Sequence, residues 1–484
     1  MPDGVFCIDF GSAFTKVSLR RARRTNSDLV TMPDEAEELE ICVPSAAVAD
    51  YSSGQPRYTF GRAATGRRAE GLIKPRPNWK KELFAAASGT SAASPSAPIY
   101  RPRTRVEWLI LSKEFRQLAG KYQVAEADLL NLRRLVVDAI SLTIPQQYLP
   151  PPPDPSADVQ RLAVEFFRWL RKTSLDACAA HSPAIENPKD WPARITVPAF
   201  APEHELEQHP GTARLIAAVK EAGWVLHAER PVVSEPYANV IGILTQGSNC
   251  TRVADMFKNG LLITSLKKPE SYPTYRVVVV DVGAFTTDFA VLTLQTGGEM
   301  LLLSDVEFDT RTLSVPLGIS HLDDSVLEVI NPEHAKFMRD GRAADWVKFR
   351  HDLYERRQPS FVIQASRDAI GTGPEMDRIQ DALANFENQL GEALSQFLAT
   401  IDDCGFKELI LTGGGCALPG NQKAIIAAAQ KGRSPFRKVH LPACKLPKPT
   451  LLTTKDQIVT PLEAQLQRGG TALGGTSAFF EMIA

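Results

Sequence analysis

The sequence predicts a two-lobed α/β protein with one site between the lobes, and three observations carry that expectation. The first is the stretch 276–294, RVVVVDVGAFTTDFAVLTL, in which Val277 to Val280 have the length and β-branching of a strand buried on both faces. The run ends on Asp281, turns through Gly283, and resumes as an apolar stretch from Phe289 to Leu294. The second is that the N-terminus repeats the device: Val5 to Ile8 run into Asp9, Gly11 follows, and Val17 to Leu19 resume the strand. Superposed, Asp9 matches Asp281, Gly11 matches Gly283, Thr15 matches Thr287, and Lys16 stands where the second copy has Asp288. A strand–turn–strand unit present twice points to two similar lobes facing one site. The third is length, since 484 residues suffice for two large domains and a substantial core. Asp281 and Asp288 gain nothing apolar at the ends of such a turn. Burying them is costly unless a cation or a hydrogen-bond network receives them.

Composition narrows the function classes. A hydrophobic fraction of 44% is ordinary for a globular chain, and no apolar run has the length that spans a bilayer. The N-terminus enters a strand within a few residues, which leaves no room for a secretory signal. Cys7, Cys42, Cys178, Cys250, Cys404, Cys416 and Cys444 are scattered, odd in number and never in a CxxC, so they read as reduced thiols of a cytoplasmic protein. A net charge of −1 gives no reason to expect a specific nucleic-acid or anionic-membrane partner.

Four segments taken together carry a family resemblance. IDFGSAFTK resembles the first phosphate loop, and DVGAFTTD the second, of the actin and DnaK-type heat-shock chaperone (heat shock protein 70 family) ATPase superfamily. VVSEPYANVIGIL resembles its connecting helix, and LILTGGGCALPG its adenosine loop; ITVPAF resembles a strand of the chaperone ATPase domain. The segments occur in the family order over nearly the whole chain. The resemblance implies a two-lobed actin-like ATPase of duplicated ribonuclease-H-like lobes, with smaller subdomains flanking a nucleotide cleft. It implies lobe I over 1–250 with a small-subdomain insertion at about 41–130, lobe II over 251–460 with a small subdomain at about 316–400, and a closing helix over 461–484 that returns to lobe I.

The elements follow in order. In the first hairpin Gly11 lets the backbone approach a phosphate, the turn amides form an anion-binding concavity, and Ser12 adds a hydroxyl. Lys16 falls where actin-like members carry a lysine aimed at phosphate. The run Arg20 to Arg24 reads as solvated, because the acidic stretch Asp34 to Glu40 follows at once. In the segment Asn78 to Phe84 the chaperones place a lysine that crosses the cleft toward the γ-phosphate. Lys80 is the better alignment and Lys81 the alternative. Residues 85–105, rich in Ala, Ser and Pro, read as a mobile insertion at a subdomain tip. Apolar spacing is helical from Ser112 to Tyr148, and Pro150 to Pro153 form a stiff extended connector. Val159 to Ala180 is an amphipathic helix with Leu162, Phe166, Trp169 and Leu170 on one face. Ile195 to Ala199 is a strand, and Glu203 to Gly223 a helix ending at its glycine. His204 and His209 read as surface histidines, since a spacing of five does not suit a helical metal pair. At Val232 to Ala238 a strand stops on Glu235, and Pro236 opens a helix. Glu235 suits the helix dipole there, and the resemblance adds a role in placing the attacking water. Leu409 to Thr412 is a buried strand entering Gly413, Gly414 and Gly415, whose bare backbone suits a purine and ribose. Arg356 and Arg357 fall near the chaperones' adenosine-side basic residues and read as a solvated pair.

The resemblance implies a slowly hydrolysing, ATP-binding molecular switch. Its cofactors are ATP or ADP and Mg²⁺, with the metal held by Asp9 and Asp281. Gly11, Ser12, Lys16, Gly283, Thr286 and Thr287 bind phosphate, and Gly413 to Gly415 bind adenosine. Glu235, Asp288 and Lys80 are the catalytic residues. Lobe closure around ATP is the implied output, read by a protein partner. Two alternatives stay open: an actin-like protein that self-assembles into filaments, and a nucleotide-binding scaffold with little turnover. Three departures from the family pattern stand out. The chain ends where a chaperone's peptide-binding domain begins. Phe285 replaces a glycine of the second phosphate loop, its ring turned either outward, the expectation here, or into γ-phosphate space. Ala417 stands near the place of the adenine-flanking arginine.

Overall fold

A computed structural model describes residues 4–22, 27–65, 73–85 and 155–245 with short breaks, then 274–295, 306–332, 374–401, 406–431, 438–440 and 463–477, with isolated shorter pieces. Most of the 85–105 insertion, nearly all of the helical stretch at 112–148, the proline run at 150–153, the acidic stretch at 34–38, the basic residues 23 and 24 and the pair at 356–357 lie outside the described residues.

The protein is a mixed α/β structure built on two large sheets and the helices that cover them. The first sheet is eight-stranded. Its centre is β1 (Gly4–Phe10), buried along its whole length, with β2 (Phe14–Arg21) and β3 (Asp28–Val30) on one side and β4 (Pro192–Val197) and β5 (Val232–Ser234) on the other. The second sheet is five-stranded. Its centre is β6 (Thr274–Val282), flanked by β7 (Thr287–Gln295) and β8 (Val306–Val315) on one side and by β9 (Phe406–Thr412) and β10 (Lys438–His440) on the other. In both, two antiparallel steps lead away from the central strand on one side and two parallel steps on the other.

The likeness extends to register. Asp9 is paired with Lys16 across its hairpin and with Thr196 on the parallel side. Asp281 is paired with Asp288 across its hairpin and with Thr412 on the parallel side. Because side chains alternate with a period of two, a slip of one residue in either hairpin would send these groups to the opposite face. Val277 to Val280 are fully buried, as a strand covered on both faces requires.

Helices fill the faces. Against the first sheet pack α1 (Trp79–Ala85), α2 (Pro155–Ala179) and α3 (Pro210–Glu221), around a cluster that includes Phe6, Phe10, Trp79, Phe166, Phe167 and Trp224. The ring of Phe10 lies 5.0 Å from that of Trp79 and 5.1 Å from that of Phe167, so the first turn is backed by aromatic packing. α4 (Glu235–Thr245) follows β5 directly. α5 (Ile319–Val329), α6 (Pro374–Ala399) and α7 (Pro419–Gln430) cover the second sheet, burying Leu322, Val326, Leu383, Phe386, Leu390 and Ile425.

The expected helix over 203–223 is divided. Glu203–Gln208 forms a 3₁₀ turn, and α3 starts at Pro210, whose missing N–H suits a first helical position. His209 caps it: Nδ1 accepts from the Gly211 amide at 3.2 Å. The ring stacks on Phe200 at 4.7 Å, and burial pushes its pKa down. His209 is therefore a half-buried structural cap and not the expected surface histidine.

α8 (Glu463–Gly475) returns to the first sheet. Ser18 Oγ donates to the Ala472 carbonyl at 2.6 Å, and Arg20 and Arg194 donate to the Thr476, Gly475 and Ser477 carbonyls, placing cations at the negative end of the helix. α8 also crosses α4 at backbone contact. A Cβ on Gly242 would stand 1.9 Å from the Gly470 carbonyl oxygen, and one on Gly474 would stand 1.6 Å from that of Ala238. Two helices cannot separate by a methyl radius here without dragging both sheets. Gly242→Ala is accordingly expected to cost about 3 kcal/mol, the upper end for overpacking. Gly414→Ala, a site with no neighbouring atom within 4 Å, is expected to change denaturant stability by less than about 0.5 kcal/mol. Equal midpoints for the two variants would refute the close crossing.

Candidate functional site

Both turns are built in the same sense. In the first, carbonyl oxygens are tied back into the protein: Phe10 O accepts from Lys80 Nζ, Gly11 O from Ser45 Oγ at 2.6 Å, and Ala13 O from the Ser45 amide at 2.9 Å. In the second, Gly283 O and Ala284 O accept the Ile319 and Ser320 amides at the start of α5, at 3.1 and 2.8 Å. The Gly283 amide closes its own turn onto Thr286 O at 2.9 Å. Oxygens that would repel an anion are thus engaged elsewhere, and Ser12 Oγ is enclosed with no partner among the described residues.

Four carboxylates and two ammonium groups meet beside the turns. Lys16 Nζ pairs with Asp9 Oδ2 at 2.6 Å, and Thr196 Oγ1 donates to Asp9 Oδ1 at 3.2 Å. Lys80, buried at the start of α1, pairs with Glu235 Oε1 at 3.0 Å. Asp288 accepts from the Ala199 amide at 3.0 Å and from Thr286 Oγ1 at 2.8 Å. Asp281 accepts from Asn239 Nδ2 at 3.3 Å. Gly413, at φ +82°, stands against the same carboxylate; a Cβ there would lie 2.3 Å from Asp281 Oδ1. Only a glycine takes this backbone conformation at that distance.

The charges do not balance. With Lys16 committed to Asp9 and Lys80 to Glu235, no cation forms an ion pair with Asp281 or Asp288 among the described residues, although the Lys80 charge is felt at Asp288. Burial, and after it the neighbouring Glu235, Asp288 and Asp9, push the Asp281 pKa up to about 8. Burial raises Glu235 to about 7 against the pull of Lys80, with Asp9 and Asp288 adding to the rise. Asp288 is raised by burial, opposed by the neighbouring Ser314 hydroxyl, by its hydrogen bonds from Thr286 and Ala199, and by the charge of Lys80. Burial works against the Lys16 ammonium, but Asp9, Cys42 and Glu235 together outweigh it and the net shift is upward. Such a cluster is short of positive charge by one divalent cation or its equivalent in protons. Among the described residues no three His, Cys, Asp or Glu side chains converge tightly enough to enclose a metal directly. The donors present are carboxylate oxygens, the type that a hydrated Mg²⁺ takes.

The structure brings together Asp9, Lys16, Lys80, Glu235, Asp281, Asp288 and Gly413, with Gly11, Ser12, Gly283 and Thr286 in the two turns. Lys80, not Lys81, faces inward. Thr287 donates its hydroxyl to Leu317 O at 2.7 Å, so that group serves the loop before α5. Gly414 is exposed, Gly415 is buried against Val282 and Ile319, and Phe285 is half-buried. Three site residues were not anticipated from the sequence: Thr196, Thr412 and Asn239. The first two extend the internal repeat one strand further, and Asn239 is a polar residue one turn after Glu235 in an otherwise apolar helix. No protein-family model matches the chain, and no curated protein matches it. Among the described residues no helix is long and apolar enough to cross a membrane.

Proposed function

We propose that this chain is a Mg²⁺-dependent adenine-nucleotide switch of the actin and DnaK-type chaperone ATPase class, with two similar lobes closing on ATP and hydrolysing it slowly. The observation that carries the reading is the pair of equivalent turns, each with its carbonyls tied back, meeting at a carboxylate cluster short of positive charge. Turn amides and Ser12 would receive the phosphates, and the glycines from Gly413 would pass beneath the nucleoside. Asp9 and Asp281 would hold a hydrated divalent ion, which when bound offsets phosphate charge. Lys16 and Lys80 would share that task. Glu235 and Asp288 would orient a water for attack on the γ-phosphorus; the bond to the β-phosphate oxygen breaks, and Glu235 takes the water's proton. Slow turnover suits a switch whose lobe positions are read by a protein partner in a reducing, cytoplasmic setting, and the described cysteines are buried free thiols.

The test is thermal or denaturant melting with nucleotide. Mg-ADP or Mg-ATP at about a hundred times its dissociation constant should stabilise the fold by roughly 2.7 kcal/mol. Asp9→Ala and Asp281→Ala should lose most of that gain while keeping the apo fold. No shift with either nucleotide would sink the reading.

A further inference from the structure

We propose that Asn239 is a positioning residue that sets the rotamer of Asp281 for cation binding and ties that carboxylate to the α4–α8 crossing. The proposal rests on the nucleotide-site reading above and extends it to a residue outside the phosphate and nucleoside turns. Asn239 lies one helical turn beyond Glu235, so the two side chains leave α4 on the same face. It is 3% exposed. Its amide donates to Asp281 Oδ2 at 3.3 Å, and among the described residues it is the one side-chain donor that Asp281 has. Toward the ionised form of Asp281, the form that would meet a cation, only the amide nitrogen can face the carboxylate, because that form only accepts.

The remaining atom is the second observation. Among the described residues Asn239 Oδ1 is buried with no hydrogen-bond partner, an arrangement that costs free energy and calls for an explanation. It points at α8, where a Cβ on Gly470 would stand 2.8 Å away. Asn239 is therefore clamped between the backbone of α8 and the carboxylate, and Asp281 is clamped in turn between Asn239 and Gly413. The side chain cannot follow a shift of α8 without releasing Asp281.

The experiment measures ADP binding to the full chain by calorimetry, first with EDTA and then across a Mg²⁺ titration, in wild type and in Asn239→Leu, which keeps the shape and removes the donor. Asn239→Leu is expected to need at least tenfold more Mg²⁺ for half-maximal ADP binding. Its metal-free ADP affinity and its melting temperature in EDTA should stay near wild type, a split that general loosening of the helix would not produce. Should leucine not be accommodated, Asn239→Ala, which adds no volume, carries the same comparison. A Mg²⁺ requirement within twofold of wild type, or a parallel loss of metal-free binding, overturns the positioning role and leaves the nucleotide site standing. Wild type that binds ADP without any response to Mg²⁺, or not at all, overturns both.

Discussion

Glu235→Gln is expected to retain the Mg-ATP melting shift and to lower single-turnover hydrolysis by about a hundredfold or more, the usual contribution of a positioned general base. Glu235 opens α4 immediately after the buried strand β5, and its carboxylate is held at 3.0 Å by Lys80. Glutamine preserves the shape and still accepts a hydrogen bond from Lys80, but it cannot take a proton from water. Burial sets the Glu235 pKa at about 7, near the operating pH, where a base combines a usable ionised fraction with proton affinity. Because the ionised form is the base, the wild-type rate should climb with pH as Glu235 ionises, and the variant's rate should lack that step. Equal single-turnover rates, or the same pH step in both proteins, would remove Glu235 from the chemistry.

Much of this arrangement is legible in the sequence, for a physical reason. The apolar runs at Val5–Ile8 and Val277–Val280 fix which residues can face the core, and period-two alternation then fixes the phase of everything attached to them. That is why the equivalence of Asp9 with Asp281, and of Lys16 with Asp288, followed from superposing two short segments. Thr196 and Thr412 escaped because a threonine inside a β-branched run reads as a strand former, and only the parallel pairing shows each beside its aspartate. The choice between Lys80 and Lys81 depended on the rotation of α1, which is set at long range by the Trp79 indole N–H donating to Ser45 O at 2.6 Å. His209 was misjudged for a similar reason. The proline that follows it starts α3, and the stacking partner Phe200 belongs to the loop after β4. Asn239 needed α8, whose glycines announce close packing but not against what.

Asp281→Asn is expected to make the ligand-free protein more stable at pH 8, while abolishing most of the stabilisation that Mg-nucleotide gives. In the folded protein burial and three neighbouring carboxylates raise the Asp281 pKa from 3.8 to about 8. The native state therefore holds a proton that the unfolded chain has already released between those two values. With more protons bound in the native state, unfolding free energy falls as pH rises across this window, and it levels off above about 8. At about 1.4 kcal/mol per pKa unit the full cost reaches on the order of 5 kcal/mol, part of it shared with Glu235 and Asp288 because the three raise one another. Asparagine removes the titration and can keep the contact with Asn239. The gap between variant and wild type in apo denaturant stability should thus be widest at pH 8 and shrink toward pH 5. Saturating Mg-ADP at pH 8 should narrow the gap by about 2.7 kcal/mol at a hundred times its dissociation constant, because it supplies to wild type the positive charge that the variant no longer needs. Wild-type stability that is no lower relative to the variant at pH 8 than at pH 5 would show that Asp281 is not held under charge strain. The cluster would then have no deficit for a cation to fill.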